Sequence, residues 1–239
     1  MRLDRFLGTV TPLSRREAAA AVRAGRVTVN GAVMRRPDGH VREEEDAVAL
    51  DDAPLTYARY RYIWLNKPAG YVSATEDGRG LPCVTELLPP DVQGRGMFPC
   101  GRLDRDTTGW MLLTDDGPLA HRLLSPRHHV EKVYRFRCDS HLPPDAAARC
   151  ATGICLTGED APCKAAALLP DPDGCGGRIT LTEGKYHQIK RMAEALGTRI
   201  TELERISFAG IPLDPSLPRG ATRPASEEEI RRLRGATEE

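Results

Sequence analysis

The alternation of polar and apolar positions near the start of the chain predicts a helix followed by a β-hairpin. Ser14 and Glu17 have the spacing of a capping box at a helix N-terminus, and residues 18–24 have high helix propensity. Residues 26–29 then alternate as a strand does and run into Asn30-Gly31, a strong signal for a two-residue hairpin turn. This segment therefore predicts a compact module of its own.

The rest of the chain alternates short strands and helices that are separated by many turns. In the strand predicted for residues 132–138, Tyr134, Phe136 and Cys138 fall on one face. The other predicted elements are strands at 62–65, 110–113 and 178–182 and helices that begin at Pro118, at His187 and after Ser226. Because regular βαβ spacing is absent, this part predicts an α+β fold with a mixed, largely antiparallel sheet flanked by helices.

Length and composition fit two soluble domains. The 239 residues accommodate a small domain at 1–57 and a larger one at 58–239, with a linker across 54–61. The N-terminus is charged from its second residue, and no stretch approaches the roughly 18 apolar residues of a membrane span. We therefore expect a cytoplasmic protein that has no signal peptide and no membrane partner.

The seven cysteines include no C-x-x-C pair. Free thiols in a reducing compartment are the expectation for such a pattern. A zinc site made of Cys150, Cys155, Cys163 and Cys175 is disfavoured, because their spacings are irregular and no histidine lies nearby. We expect no metal.

The formal net charge is zero, but the charges are unevenly distributed. Residues 1–36 contain eight arginines and two acidic residues, whereas residues 37–56 contain seven acidic residues and one arginine. A local basic patch of this kind fits phosphate binding, although a solvated basic face is the alternative. The run SRREAAAAVRAGRVTVNGAV resembles the S4 RNA-binding domain, over about the first 55 residues. The candidate RNA contacts here are Arg2, Arg15, Arg16, Arg23 and Arg26.

A dense polar cluster occupies residues 101–109. Its glycines bracket a short segment just before a predicted buried strand, so its side chains project from a loop that a rigid element holds in place. Functional sites are often built in this way. The alternative is a surface turn with weak Arg–Asp pairs.

A second cluster occupies residues 183–192, at the start of a predicted helix. Lys190 lies off the apolar stripe of that helix, and its alternative role is a surface pair with Glu194. The chain has only five lysines among 34 basic residues, and four of them fall within motif-like segments: Lys67, Lys132, Lys185 and Lys190. In a chain so rich in arginine, this placement favours positions that require a compact ammonium group.

Four segments, in this order after the S4-like module, carry a family likeness: NKPAGYVSA, GRLDRDTTGWMLLTDDG, SPRHHVEKVYRF and EGKYHQIKRM. They resemble the pseudouridine synthases of the RsuA/RluB type, and the likeness extends over nearly the whole chain. The resemblance implies that Asp104 is catalytic, that Tyr134 stacks on the target base, and that Lys190 pairs with Asp104. It also makes Arg102 a phosphate or loop-ordering contact, and we add Lys67 to the candidate RNA contacts.

The reaction implied by this resemblance explains the residue types. Uridine becomes pseudouridine when the C1′–N1 bond breaks, the uracil turns and C5 bonds to C1′, so no cofactor is required. The carboxylate acts as nucleophile at C1′ or as base at C2′, and the sequence leaves both open. An ammonium group keeps a buried carboxylate ionised, and aromatic stacking holds a base that has left its helix.

Three segments, SPRHHVEKVY, TTGWMLLTDDG and EGKYHQIKRM, most resemble family members that act on 16S rRNA of the small subunit. The alternatives are a 23S rRNA synthase of the same family and a non-catalytic S4-bearing binding or assembly factor. Trp110 stands where the family pattern has an aliphatic residue, which we expect to alter only strand packing. The expected partner is ribosomal RNA, bound by a monomer.

Overall fold

The computed structural model describes residues 1–43, 45–57, 59–125 and 127–237. It divides the chain into two compact units, Met1–Arg59 and Tyr60–Glu239. The boundary predicted between residues 57 and 58 falls beside Ala58, which is outside the described residues. The predicted linker at 54–61 begins too early, because residues 53–55 form a strand that pairs within the first unit.

The first unit combines two helices with a small sheet. Its elements are α1 (Leu3–Val10), α2 (Arg15–Arg23), β1 (Val27–Val29), β2 (Ala32–Met34), β3 (Val48–Leu50) and β4 (Ala53–Leu55). The four strands are antiparallel in the order β2-β1-β3-β4. Leu3, Phe6 and Leu7 of α1 pack in the core with Val22 of α2 and Val27 of β1.

Local signals in this unit are confirmed. The Ser14 hydroxyl accepts a hydrogen bond from the Glu17 amide at 3.3 Å, and the Glu17 carboxylate accepts one from the Ser14 amide at 2.8 Å. Asn30 and Gly31 both have positive φ, 51° and 80°, as a two-residue hairpin turn requires. Helix α1 was not predicted, although Leu3, Phe6 and Leu7 have helical spacing.

The second unit is an α+β domain with a mixed nine-stranded sheet. Its strands are β5 (Tyr62–Lys67), β6 (Phe98–Pro99), β7 (Thr108–Thr114), β8 (Lys132–Cys138), β9 (Ala167–Pro170), β10 (Gly176–Leu181), β11 (Ile200–Phe208), β12 (Ile211–Pro212) and β13 (Thr222–Pro224). Its helices are α3 (Gly117–Leu124), α4 (Ala146–Thr152), α5 (Gln188–Ala195) and α6 (Glu227–Gly235). The main path is β13-β5-β7-β11-β8-β10-β9, and of its strand pairs only β7–β11 is parallel, which confirms the predicted fold class.

Both faces of the sheet are buried along β5 and β7. Along β7, Met111 and Leu113 enter one hydrophobic core, whereas Trp110 and Leu112 enter the core on the opposite face. The Trp110 ring stacks on Trp64 of β5 with 4.5 Å between ring centroids, so Trp110 is a packing residue as expected. Among the described residues, no helix is long and apolar enough to cross a membrane.

Candidate active site

The Asp104 loop, residues 101–107, leads directly into the buried strand β7. Leu103 is buried in the core, while the neighbouring Asp104 side chain is 27% exposed. Thr107 donates its backbone amide to the Asp104 carbonyl at 3.1 Å, which closes a turn that begins at Asp104. The loop therefore presents Asp104 from a fixed backbone.

Lys67, the last residue of β5, holds the backbone of the Asp104 loop. Lys67 is fully buried, and its ammonium group donates to the carbonyl oxygens of Pro68 at 3.0 Å, Asp104 at 3.2 Å, Arg105 at 3.2 Å and Thr107 at 2.8 Å. Burial lowers the pKa of Lys67 to about 8, although the nearby Asp106 and Asp104 carboxylates act in the opposite direction. The prediction that Lys67 contacts RNA is wrong, because its charge is enclosed by the backbone of the Asp104 loop.

The turn after Lys67 adds further hydrogen bonds to the loop. The Ser73 hydroxyl donates to the Leu103 carbonyl at 2.7 Å and accepts from the Leu103 amide at 3.0 Å. The Gly70 amide donates to the Arg105 carbonyl at 2.8 Å, and Arg105 Nε donates back to the Gly70 carbonyl at 3.1 Å. The segment NKPAGYVSA thus forms a cradle, a set of hydrogen-bonding groups that holds the backbone of the Asp104 loop. This role was not predicted from the sequence.

Lys190 brings the second cluster to the Asp104 loop. From the first turn of α5, its Nζ lies 3.0 Å from Asp104 Oδ2 and 2.6 and 2.9 Å from the two oxygens of Asp106. Burial alone lowers the pKa of Lys190, but hydrogen bonds to Asp106 and Asp104 outweigh it and give a net rise. Within the described part of the chain, Lys190 forms these ion pairs and none with Glu194.

Asp106 was not predicted as a site residue. Burial on its own raises the pKa of Asp106, but the hydrogen bonds from Lys190 outweigh it and lower the pKa. One ammonium group is therefore shared between two carboxylates. The sequence signal was the repeated acidic residue in GRLDRDTTG, which spacing alone does not connect to Lys190.

The loop before α5 is tied down by the side chains of its own motif. Gln188 Nε2 donates to Glu183 Oε1 at 2.7 Å, and Gln188 Oε1 accepts from the Lys185 amide at 2.9 Å. The Glu159 carboxylate forms ion pairs with Lys185 Nζ at 2.9 Å and with Arg191 Nη1 at 3.0 Å. Lys185 is therefore a structural ion-pair partner of Glu159.

Two aromatic side chains of this loop border the site. His187 has a left-handed backbone with φ 48°, and its Nε2 lies 3.6 Å from Asp104 Oδ1. The Tyr186 ring stacks on the His187 ring with 3.8 Å between centroids and 19° between planes. Neither residue was singled out from the sequence, although both belong to EGKYHQIKRM.

Tyr134 and Arg102 differ in burial. Tyr134 is 8% exposed on the buried face of β8, in the cluster that also contains Leu103 and Ile189, the neighbours of Asp104 and Lys190. Arg102 is exposed on the Asp104 loop itself. Tyr134 is thus buried in the same hydrophobic core as the neighbours of Asp104 and Lys190, whereas Arg102 faces solvent.

The five candidate arginines of the first unit are all exposed. Arg2 and Arg15 approach the Asp4 carboxylate at 2.8 and 3.6 Å, and Arg26 pairs with Asp51. Arg16 and Arg23 project from α2 into solvent. Carboxylates therefore already neutralise part of the predicted basic face.

All seven cysteines are free. No cluster of three or more histidine, cysteine or acidic residues in the described ranges is arranged to hold a metal ion. The groups that can do chemistry are the Asp104 carboxyl group, the Lys190 ammonium group and nearby aromatic rings. Such a set suits covalent or acid–base catalysis on a substrate that is bound without redox change.

Comparison with known proteins gives two family matches. Residues 61–195 match the RNA pseudouridylate synthase family, and residues 1–48 match the S4 domain. Both matches fall where the sequence resemblance had placed them.

Individual relatives match over nearly the entire chain. An RNA pseudouridine synthase of Bacillus subtilis is 40% identical over 98% of this chain and 98% of its own length. Ribosomal small subunit pseudouridine synthase A of Escherichia coli K12 is 42% identical over 96% of this chain and 98% of its own. A crystal structure of a pseudouridylate synthase superposes with a TM-score of 0.69 at 37% identity, covering 98% of this chain and 99% of that one.

Proposed function

Since this chain belongs to the RNA pseudouridylate synthase family, in its RsuA branch, and carries an S4 domain, we propose that it converts one uridine of 16S rRNA to pseudouridine with Asp104 as its catalytic residue. Family membership establishes the enzyme class, an isomerase that acts on uridine in RNA. The 16S target is supported by relatives at 38% and 42% identity that are named small-subunit synthases. We further propose that the enzyme works as a cytoplasmic monomer.

The observation that carries the assignment of Asp104 is its contact with Lys190 at 3.0 Å, on a loop whose backbone is held by hydrogen bonds with the Lys67 and Ser73 side chains. A carboxylate that must stay ionised in a partly dehydrated site needs a cation beside it. Lys190 supplies that cation. A pure binding module has no use for such a pair, which argues against a non-catalytic assembly factor.

In the proposed reaction, the Asp104 carboxylate attacks C1′ or removes the proton at C2′, and the C1′–N1 bond breaks with its electrons on the uracil. The uracil turns within the pocket and C5 bonds to C1′. In the first case the Asp104–C1′ bond breaks as the new bond forms, and in the second the proton that Asp104 removed returns to C2′. The proton at C5 is lost and N1 gains one, so the product is an isomer and no external atom enters. Lys190 balances the charge of Asp104 and of the uracil anion throughout.

Binding requires that the target base leaves its stack, because its C1′–N1 bond is otherwise enclosed. We assign Tyr134 to stacking on the base, supported by its place in the hydrophobic core that also contains Leu103 and Ile189, the neighbours of Asp104 and Lys190. Arg102, exposed beside Asp104, is suited to a phosphate next to the target. Arg2, Arg15, Arg16, Arg23 and Arg26 provide a docking surface on the S4 domain.

The test uses purified enzyme on transcripts of 16S and 23S rRNA, with pseudouridine mapped by mass spectrometry. Asp104→Asn removes the ionised carboxylate, while Asp91→Asn makes the same exchange at an exposed residue outside the site. We expect one pseudouridine in 16S rRNA from the wild type and Asp91→Asn, and none from Asp104→Asn, which still binds the RNA. Turnover of Asp104→Asn within about tenfold of wild type contradicts the assignment, and a product confined to 23S rRNA contradicts the target.

A further inference from the structure

Tyr186 is an unusually open aromatic side chain at the edge of the site. Its side chain is 72% exposed, more than Leu169 at 68%, the next of the large exposed hydrophobic residues. A single exposed apolar residue is ordinary on a protein surface. Tyr186 differs because its backbone is held rigidly and its ring is already stacked on a residue that faces the catalytic carboxylate.

The ring stack has a defined relation to Asp104. His187 directs the edge that carries Nε2 toward Asp104 Oδ1 at 3.6 Å, while one face of its ring is covered by Tyr186 at a centroid distance of 3.8 Å. His187 adopts the left-handed region, with φ 48° and ψ 35°, which is an unfavourable conformation for a residue with a β-carbon. Such strain persists only where surrounding contacts impose it, and it concentrates at functional sites.

Those surrounding contacts come from both ends of the loop. Arg191 Nη1 donates to the Tyr186 carbonyl at 3.3 Å and to Glu159 at 3.0 Å, so the backbone beneath the tyrosine is fixed from α5. Gln188 holds the preceding residues through Glu183 and the Lys185 amide. A ring presented on such a backbone loses little conformational freedom when a ligand covers it.

We propose that Tyr186 and His187 form a stacking platform that receives a nucleobase of the RNA adjoining the target uridine. Every nucleobase has an aromatic face, and unpaired RNA bases are commonly held on exposed tyrosine and histidine rings. The His187 edge points to the reacting carboxylate, so a base on the outer face of Tyr186 belongs to a neighbour of the target. This inference rests on the proposed role of Asp104 and adds a second binding position beside it.

The experiment compares Tyr186→Ala, Tyr186→Phe and Leu169→Ala on the rRNA that the wild-type enzyme modifies. Leu169→Ala is the matched control, because it removes a similarly exposed apolar side chain from the edge strand β9. Dissociation constants and single-turnover rates at saturating RNA separate binding from chemistry. A 2-aminopurine placed on either side of the target reports base stacking by its fluorescence.

We expect Tyr186→Ala to weaken RNA binding by a factor of about 5 to 150, the range given by stacking of one base on an aromatic ring. The saturated single-turnover rate stays within a few-fold of wild type, and the 2-aminopurine signal at one flanking position loses its quenching. Tyr186→Phe keeps the ring and binds as the wild type does, and so does Leu169→Ala. Unchanged thermal unfolding of all variants shows that they are folded.

Two results overturn the platform. Binding by Tyr186→Ala within twofold of wild type, on an RNA that the wild type modifies, shows that the ring receives no base. A Tyr186→Phe defect as large as that of Tyr186→Ala shows that the hydroxyl group matters and not stacking. A wrong 16S target would give a different result, because the wild-type enzyme would then form pseudouridine in another RNA. The Tyr186 variants are in that case compared on the RNA that the wild type modifies.

Discussion

Replacement of Lys67 by methionine tests whether its buried charge organises the Asp104 loop. Methionine has a similar length but cannot donate hydrogen bonds, so the carbonyl oxygens of Pro68, Asp104, Arg105 and Thr107 lose the ammonium group that they share. Since the side chain is fully buried, water cannot replace it without opening the loop. The loss affects both the stability of the second unit and the position of Asp104.

The magnitude follows from two opposing contributions. Three charge-assisted N–H bonds at ~1.5–3 kcal/mol each stabilise the folded loop by roughly 5–9 kcal/mol. Burial lowers the pKa of Lys67 from 10.5 to about 8, and at about 1.4 kcal/mol per unit the charge costs roughly 3 kcal/mol. Lys67→Met should therefore reduce the free energy of unfolding by about 2–6 kcal/mol, a fall in Tm of roughly 5–20 °C.

Urea unfolding followed by tryptophan fluorescence measures this change, because Trp64 and Trp110 are both buried in the second unit and Trp64 lies on the same strand as Lys67. Lys164→Met, at an exposed lysine, is the control. Turnover of the folded Lys67→Met protein should also fall, since its Asp104 loop is no longer held. A change in unfolding free energy below about 0.5 kcal/mol, the usual range for surface substitutions, refutes the reasoning.

Three further predictions concern other parts of the chain. Gly109→Ala should lower the free energy of unfolding, measured by thermal denaturation, by about 3 kcal/mol or more. The added β-carbon would lie 2.3 Å from a carbonyl oxygen of β11. Gly78→Ala is the control and should leave stability unchanged, because a β-carbon there meets nothing within 4 Å. Asp46 has a pKa lowered to about 2 by hydrogen bonds from the Arg42 amide, Asn30 and the Arg42 side chain, so its stabilising effect is lost as pH falls from about 4 to about 2. Hydrogen exchange of the first unit measures this loss of stability, which should be absent from Asp46→Asn. The same pH dependence in the wild type and in Asp46→Asn would contradict the prediction. Alanine at both Arg16 and Arg23 should lower the slope of log affinity against log salt by about 0.7–0.9 per arginine, and an unchanged slope excludes them as phosphate contacts.

Much of the fold could be predicted because local rules govern it. The Ser14 capping box, the Asn30-Gly31 turn and the alternation of β8 each depend on residues within a few positions, and each is confirmed. The apolar stripe of α5 is likewise confirmed, since Ile189 and Met192 are buried. Helix α1 shows that a readable local pattern was overlooked.

The site was harder to predict because its contacts join distant segments. A lysine next to a turn is ordinarily a surface charge, but Lys67 lies against carbonyl oxygens 37 to 40 positions along the chain. Lys190 contacts Asp106 across 84 positions. Spacing cannot supply such pairings, so the motif resemblance found the segment of each residue but not the cradle under Asp104 or the second carboxylate on Lys190.

The most direct test of the central claim is a pseudouridine map of rRNA from cells that lack the protein. The account predicts that one uridine of 16S rRNA is unmodified in those cells. The wild-type protein should restore that pseudouridine, and Asp104→Asn, expressed at the same level, should not. A 16S map that is unchanged when the protein is absent, or one that Asp104→Asn restores, would contradict the account.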